Sequence, residues 1–114
     1  MKTSLTHVRI NVSDINQSIK WYEEILGFVV TTRYPAENPT YIGFEDELGA
    51  GFSIQQEENV PSYGRFNFQV DDVQLLWEKT KDRATVIEEL WTTPWGTTKF
   101  TISDPDGNEL GFMK

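Results

Sequence analysis

Apolar and polar residues alternate along segment 5–12, which predicts a β-strand with one dry face and one polar face. The apolar positions on the dry face are Val8, Ile10 and Val12. The polar positions on the opposite face are His7, Arg9 and Asn11. Such a strand covers a core on one side only, so its polar side chains face water or a ligand.

Helical spacing replaces this alternation after Asp14. Asp14 and Gln17 form a capping pair, and apolar residues then recur every three or four positions up to Leu26. Gly27 follows, where a left-handed residue commonly ends a helix. Farther along, β-branched and aromatic residues predict strands at 28–34, 41–45 and 51–56. The first half of the chain therefore predicts the order βαβββ.

The same pattern starts again 58 residues later, where Arg65 falls on His7 and the capping Asp72 falls on Asp14. The offset also places Asp104 on Asp46 and keeps the apolar positions of the later strands in register. The second copy predicts a helix at 73–81 and strands at 65–70, 85–90, 97–103 and 109–113.

Two copies of one module predict a single α+β domain spanning residues 1–114. Its half-repeats are approximately 1–58 and 59–114, and modules of about 55 residues are too small to be independent domains. Each helix must cover the apolar face of its own sheet. The polar faces are then expected to line a cavity, although an open, solvated sheet face would produce the same pattern.

The polar-face positions and nearby aromatic residues supply the candidates for ligand binding. They are His7, Arg9, Asn11, Tyr41, Ser53, Arg65, Asn67, Trp91, Trp95, Lys99 and Glu109.

Composition narrows the choice of partners. The 10 basic and 18 acidic residues give a net charge of −8, which argues against nucleic acid and anionic membranes because both need a basic footprint. A cationic ligand is compatible with this charge. Cysteine is absent, which excludes disulfides and thiolate chemistry. No apolar run is long enough for a membrane span, and we expect a cytoplasmic protein.

Short motifs at both ends of the chain resemble the vicinal oxygen chelate superfamily, which includes glyoxalase I, extradiol dioxygenases and bleomycin resistance proteins. The motifs are Thr6-His7-Val8, Trp21-Tyr22, Leu26-Gly27-Phe28, Trp95-Gly96 and Asp104-Pro105-Asp106-Gly107-Asn108. The resemblance implies two βαβββ repeats that form an incompletely closed, eight-stranded, barrel-like cavity within a homodimer.

The resemblance also implies where enzyme members of the superfamily hold a divalent metal ion. The matching positions here are His7, Ser53, Arg65 and Gly111. Arginine stays protonated and has no acceptor, glycine has no side chain, and serine is a weak ligand. A lone imidazole does not hold a catalytic metal, which normally has about three protein ligands. We therefore predict no metal ion and no other cofactor.

Several candidates have two interpretations. Arg65 could bind an anionic ligand or pair with Glu45 or Glu109. His7 could act as a general acid or base, or be a hydrogen-bonded remnant. Trp91 and Trp95 could form an aromatic platform at a cavity mouth, as in proteins similar to the bleomycin resistance branch, or lie in the core.

The sequence thus predicts a metal-independent protein of the bleomycin resistance type that sequesters a drug or metabolite. The alternative is a glyoxalase- or dioxygenase-like enzyme with an atypical site that uses His7. A third possibility is a module whose ligand is a signal. The net charge favours a cationic ligand, whereas Arg9 and Arg65 favour an anionic group; the sequence leaves this conflict open.

Overall fold

The structure is a computed structural model that describes all 114 residues, and these divide into two compact units, Met1–Ser62 and Tyr63–Lys114. The first unit extends past residue 58 because the following segment is tied back to the first strand. The Asn11 amide nitrogen donates to the Ser62 hydroxyl (2.8 Å), and the Asn11 side chain donates to the Asn59 carbonyl (3.0 Å). Residues 1–114 forming a single domain stays a prediction.

The first unit has the predicted order βαβββ. Its elements are β1 (His7–Val12), α1 (Ile15–Leu26), β2 (Val30–Tyr34), β3 (Tyr41–Phe44) and β4 (Gly51–Gln56). The sheet order is β1-β4-β3-β2, with β1 and β4 parallel and the other pairs antiparallel. The parallel pair follows from the connection through α1, β2 and β3, which returns the chain to the edge of β1 in the same direction.

The second unit repeats this arrangement. Its elements are β5 (Arg65–Gln69), α2 (Val73–Thr80), β6 (Thr85–Thr92), β7 (Thr98–Ser103) and β8 (Glu109–Met113). The sheet order is β5-β8-β7-β6, and β5 is parallel to β8. The predicted α+β class with two βαβββ repeats is confirmed. The eight strands form two four-stranded sheets and no closed barrel.

Both helices begin where the sequence predicts. The carboxylate of Asp14 accepts a hydrogen bond from the Gln17 amide (3.1 Å), and that of Asp72 accepts one from the Leu75 amide (3.0 Å). Gly27 ends α1 with φ of 69°, a left-handed conformation that favours glycine. Neither helix is long and apolar enough to cross a membrane.

Aromatic side chains pack each helix against its own sheet. In the first unit, Tyr22 of α1 is fully buried. Its ring centroid lies 5.8 Å from that of Phe28, 5.4 Å from that of Phe44 and 5.8 Å from that of Phe52. In the second unit, Trp77 of α2 packs on Phe100 at 5.2 Å. The helices therefore cover one face of each sheet and leave the other face uncovered by their own unit.

Candidate functional site

The first unit contains a small cavity of about 160 Å³ on its sheet. Its walls come from all four strands and from the turn after β3. The lining residues are His7, Thr31, Thr32, Tyr41, Gly43, Phe44, Asp46, Gly51, Phe52 and Ser53. The sequence-predicted candidates His7, Tyr41 and Ser53 therefore lie around one cavity.

Two glycines keep this cavity open. A Cβ atom on Gly43 would lie 3.1 Å from Cβ of Thr32, which is tighter than ordinary contact. A Cβ atom on Gly51 would lie 3.4 Å from Oδ2 of Asp46 and 3.5 Å from Cβ of His7. Side chains at these two positions would fill the space between the lining residues. His7 and Asp46 thus flank the bare backbone of Gly51.

His7 is exposed at the start of β1, directly opposite Gly51 of β4. Its Nδ1 atom lies 3.0 Å from the Thr6 hydroxyl. Ser53 is 3% exposed, and its hydroxyl donates a 3.4 Å bond to the Val8 carbonyl. The serine oxygen is therefore already engaged by the backbone, whereas the imidazole can still meet a ligand.

Asp46 lines the cavity, whereas alternation through the predicted strand 41–45 would place Glu45 on the same face as Tyr41. The alternation of β3 stops at Phe44, and the Glu45 amide donates to the Val29 carbonyl (2.7 Å). Once the strand has ended, its period no longer predicts side-chain direction. None of the three ion pairs in the chain involves Asp46. The sequence contains one signal that Asp46 differs from its repeat counterpart. Asn108 stands four residues after Asp104, whereas Ala50 stands four residues after Asp46.

Arg9 and Asn11 do not line this cavity. Nη1 of Arg9 donates to the Gln55 side chain (3.0 Å), and Asn11 holds the Asn59 carbonyl. Arg9 is therefore held on the polar face of the sheet by a neutral partner.

In the second unit, Arg65 and Glu109 form an ion pair of 2.8 Å with both side chains a little over one-third exposed. They are paired across the parallel strands β5 and β8. Lys99 lies 3.7 Å from Glu88 in a looser ion pair. Arg65 therefore pairs with Glu109, and its binding of an anionic ligand stays a prediction.

Asn67 lies across the backbone of Gly111. The position of a Cβ on Gly111 coincides with Oδ1 of Asn67 and is 3.7 Å from the Thr101 hydroxyl. The space that a side chain at 111 would enter therefore holds the Asn67 amide.

Trp91 and Trp95 lie outside the core, with 43% and 78% of their surface exposed. Trp91 is opposite Lys99 in the β6–β7 ladder, and Trp95 lies in the turn between these strands. Neither lines the cavity of the first unit. Their place at a cavity mouth stays a prediction.

The four positions implied as metal ligands do not fit a metal ion. Arg65 is charged and paired with Glu109, Gly111 offers no donor, and Ser53 bonds the backbone. No three side chains of histidine, cysteine, aspartate or glutamate come together as a possible metal group.

Comparison with known proteins covers nearly the whole chain. The family model described as the Glyoxalase/Bleomycin resistance protein/Dioxygenase superfamily matches residues 4–112. The protein YwbC of Bacillus subtilis (strain 168) is 31% identical, with 100% of this chain and 99% of YwbC covered. The lactoylglutathione lyase of Haemophilus influenzae is 27% identical, with 96% of this chain and 91% of the lyase covered.

A similar fold occurs in the crystal structure of TioX from Micromonospora sp. ML1. The TM-score is 0.81 at 19% identity, and 98% of each chain is covered. At this identity the likeness concerns the fold alone.

Proposed function

The chain belongs to the glyoxalase/bleomycin resistance protein/dioxygenase superfamily, and from this premise we propose that it binds a small molecule without a metal ion and acts by sequestration. The proposed ligand is a drug or metabolite, and the proposed role with a drug is antibiotic resistance. We also propose that the protein is a cytoplasmic homodimer with no nucleic acid or membrane partner.

The cavity of the first unit is the observation that carries this proposal. It joins three polar side chains from different strands, His7, Tyr41 and Ser53, around the open backbone of Gly43 and Gly51. Ligand sites combine a hollow with a few convergent polar groups. At about 160 Å³ the hollow is smaller than the roughly 300–1,000 Å³ of drug-sized pockets, so it suits one group of a ligand.

Metal independence is supported by the donor set. Of the positions implied as metal ligands in the second unit, Arg65 is a cation paired with Glu109, and Gly111 has no side chain. The polar contacts to the ligand then come from the protein's side chains and backbone rather than from a metal ion.

Calorimetric titration of chelator-stripped protein with nickel, zinc, iron(II) and manganese tests the first half of the proposal. We expect no binding tighter than about millimolar, which corresponds to ~4 kcal/mol. Micromolar binding of one ion per subunit that is lost in His7→Ala would overturn metal independence.

A thermal-shift screen of drugs and metabolites tests the second half. A ligand that binds the folded state raises the melting temperature, and the stabilisation grows with the logarithm of the ligand concentration relative to its Kd. Each ligand that raises the melting temperature should have the same mass before and after incubation with the protein, since sequestration returns the ligand intact. A screen with no hits would count against ligand binding.

An enzymatic function is the second candidate, and the relatives named lactoylglutathione lyase favour it. His7 lies in the cavity with Asp46 on the other side of Gly51, so an acid–base group is available there. The test is an assay for formation or breakdown of lactoylglutathione by the protein and by His7→Ala. We expect no turnover by either; turnover that His7→Ala abolishes would favour the enzyme.

A further inference from the structure

We propose that Asp46 makes the cavity of the first unit selective for a cationic amino group on the ligand. This inference rests on the proposed function and names the charge class of its ligand. It also resolves the conflict between the acidic net charge and the polar-face arginines.

The internal repeat shows that Asp46 is free of the structural task of its counterpart. Asp104 is 4% exposed, and its carboxylate accepts hydrogen bonds from the Asp106 amide and from both the backbone and side chain of Asn108. Asp46 begins the equivalent turn, but Ala50 replaces the asparagine and cannot donate from its side chain. The Asp46 carboxylate is exposed, has no ion-pair partner and lines the cavity.

No lysine or arginine contributes to the cavity wall. Arg9, on the polar face of β1, donates a hydrogen bond to Gln55. Arg65 of the second unit is paired with Glu109. Asp46 therefore sets the sign of the charge at this site. A carboxylate beside a small hollow favours an ammonium group, because a charge-assisted hydrogen bond forms where water is partly excluded.

Tyr41 adds a second attraction of the same sign. Its half-buried side chain lines the cavity, and an aromatic ring attracts a cation through its π face. The ligand group that matches both residues is a primary ammonium on a short apolar stem.

The probes for this proposal are benzylammonium, benzyl alcohol and benzoate, which share one ring and differ in charge. Each is titrated into ¹⁵N-labelled protein while the amide signals of Gly43, Gly51 and Ser53 are followed by NMR. We expect benzylammonium to shift these signals saturably and the two controls to shift them far less.

Substitutions at Asp46 and Glu47 distinguish the effect of the Asp46 carboxylate on binding from the effect of the protein's net charge. Asp46→Asn should weaken benzylammonium binding by about tenfold or more, as expected for loss of a charge-assisted hydrogen bond. Asp46→Glu should keep it. Glu47→Gln is the matched control, because it removes the same charge one residue away without touching the cavity wall. Unchanged spectra elsewhere in the chain show that Asp46→Asn has folded.

Equal binding of benzoate, or equal benzylammonium binding by Asp46→Asn and wild type, would overturn the charge assignment while leaving ligand binding intact. Saturation by none of the three probes would also overturn it. The thermal-shift screen then judges the proposed function separately, since its hits need not be cationic.

Discussion

Two aspartates 58 positions apart have the same place in the repeat and different surroundings. Asp104 is buried and holds the turn before β8 together, whereas Asp46 is exposed and lines a cavity. The turn containing Asp104 also closes on itself, since the Asp104 amide donates to the Asn108 carbonyl (3.0 Å). The Asp104 side chain thus stabilises its turn, whereas the Asp46 side chain can contact a ligand.

This difference predicts unequal losses of stability. Asp104→Ala should lower the free energy of unfolding by about 2–4 kcal/mol, because it removes the carboxylate that accepts from both the backbone and the side chain of fully buried Asn108. Asp46→Ala should change it by less than about 0.5 kcal/mol, as for other exposed positions. Urea denaturation of both variants provides the comparison. Similar losses for the two would mean that Asp46 also supports the fold.

Tyr22 lies at the centre of an aromatic cluster in the core of the first unit. It is fully buried and touches rings from the segment after α1, from β3 and from β4. Tyr22→Ala should cost about 3–5 kcal/mol, the range for deleting a large aromatic side chain from a core. Tyr63→Ala is the control, since Tyr63 is 95% exposed. Denaturation midpoints that move equally in both variants would contradict this assignment.

Three residues of the candidate site were predictable from the sequence because they lie within strands. His7, Tyr41 and Ser53 lie within strands, where alternation predicts side-chain direction. Asp46 lies beyond the end of β3, where direction depends on the turn. The ion pair of Arg65 with Glu109 depends on β5 and β8 lying side by side in this register, which the local pattern of neither strand includes.

At the level of elements, the two helix caps repeat as closely as the strands do. Asp14 and Asp72 each accept a hydrogen bond from the amide three residues later. Replacing either with alanine should lower the free energy of unfolding by about 1 kcal/mol, because one backbone donor of the first turn loses its acceptor.

Asp71→Ala is the control for this prediction, since Asp71 carries the same charge next to the cap. Chemical denaturation should show a shift for Asp14→Ala and Asp72→Ala and almost none for Asp71→Ala. If Asp71→Ala has the same effect, the loss reflects charge near the helix and not capping.

The order and type of the elements were predictable because strand alternation and helical spacing are both clear in the sequence, and each occurs in both halves of the repeat. Boundaries were less so, and β6 is the clearest case: it extends to Thr92, beyond the predicted end at residue 90. Its last residues pair with β7 through Trp91–Lys99 and Thr92–Thr98. This pairing depends on a neighbouring strand, which local pattern does not include. The first strand, in contrast, starts at His7 and not at residue 5.

For the molecule as a whole, charge is the property with the most direct consequence for binding. The chain carries a net charge of −8, and its three ion pairs leave this excess of negative charge unchanged, because each joins one basic and one acidic side chain. A surplus of negative charge raises the local concentration of small cations and lowers that of anions. This long-range effect adds to the contact that we propose between Asp46 and an amino group.

The two contributions respond differently to salt, which gives a last prediction. Raising sodium chloride from about 20 mM to about 500 mM shortens the screening length from roughly 20 Å to roughly 4 Å, so long-range attraction nearly vanishes. Benzylammonium affinity should therefore fall several-fold in wild type, measured by the same amide shifts.

Contact with Asp46 persists at high salt because the partners touch within the hollow, where screening by ions is weaker. Asp46→Asn should therefore bind benzylammonium more weakly than wild type at both salt concentrations. Glu47→Gln should differ from wild type only at low salt, since its charge is exposed and acts from a distance. If Asp46→Asn and Glu47→Gln become indistinguishable from wild type at high salt, the attraction comes from net charge alone.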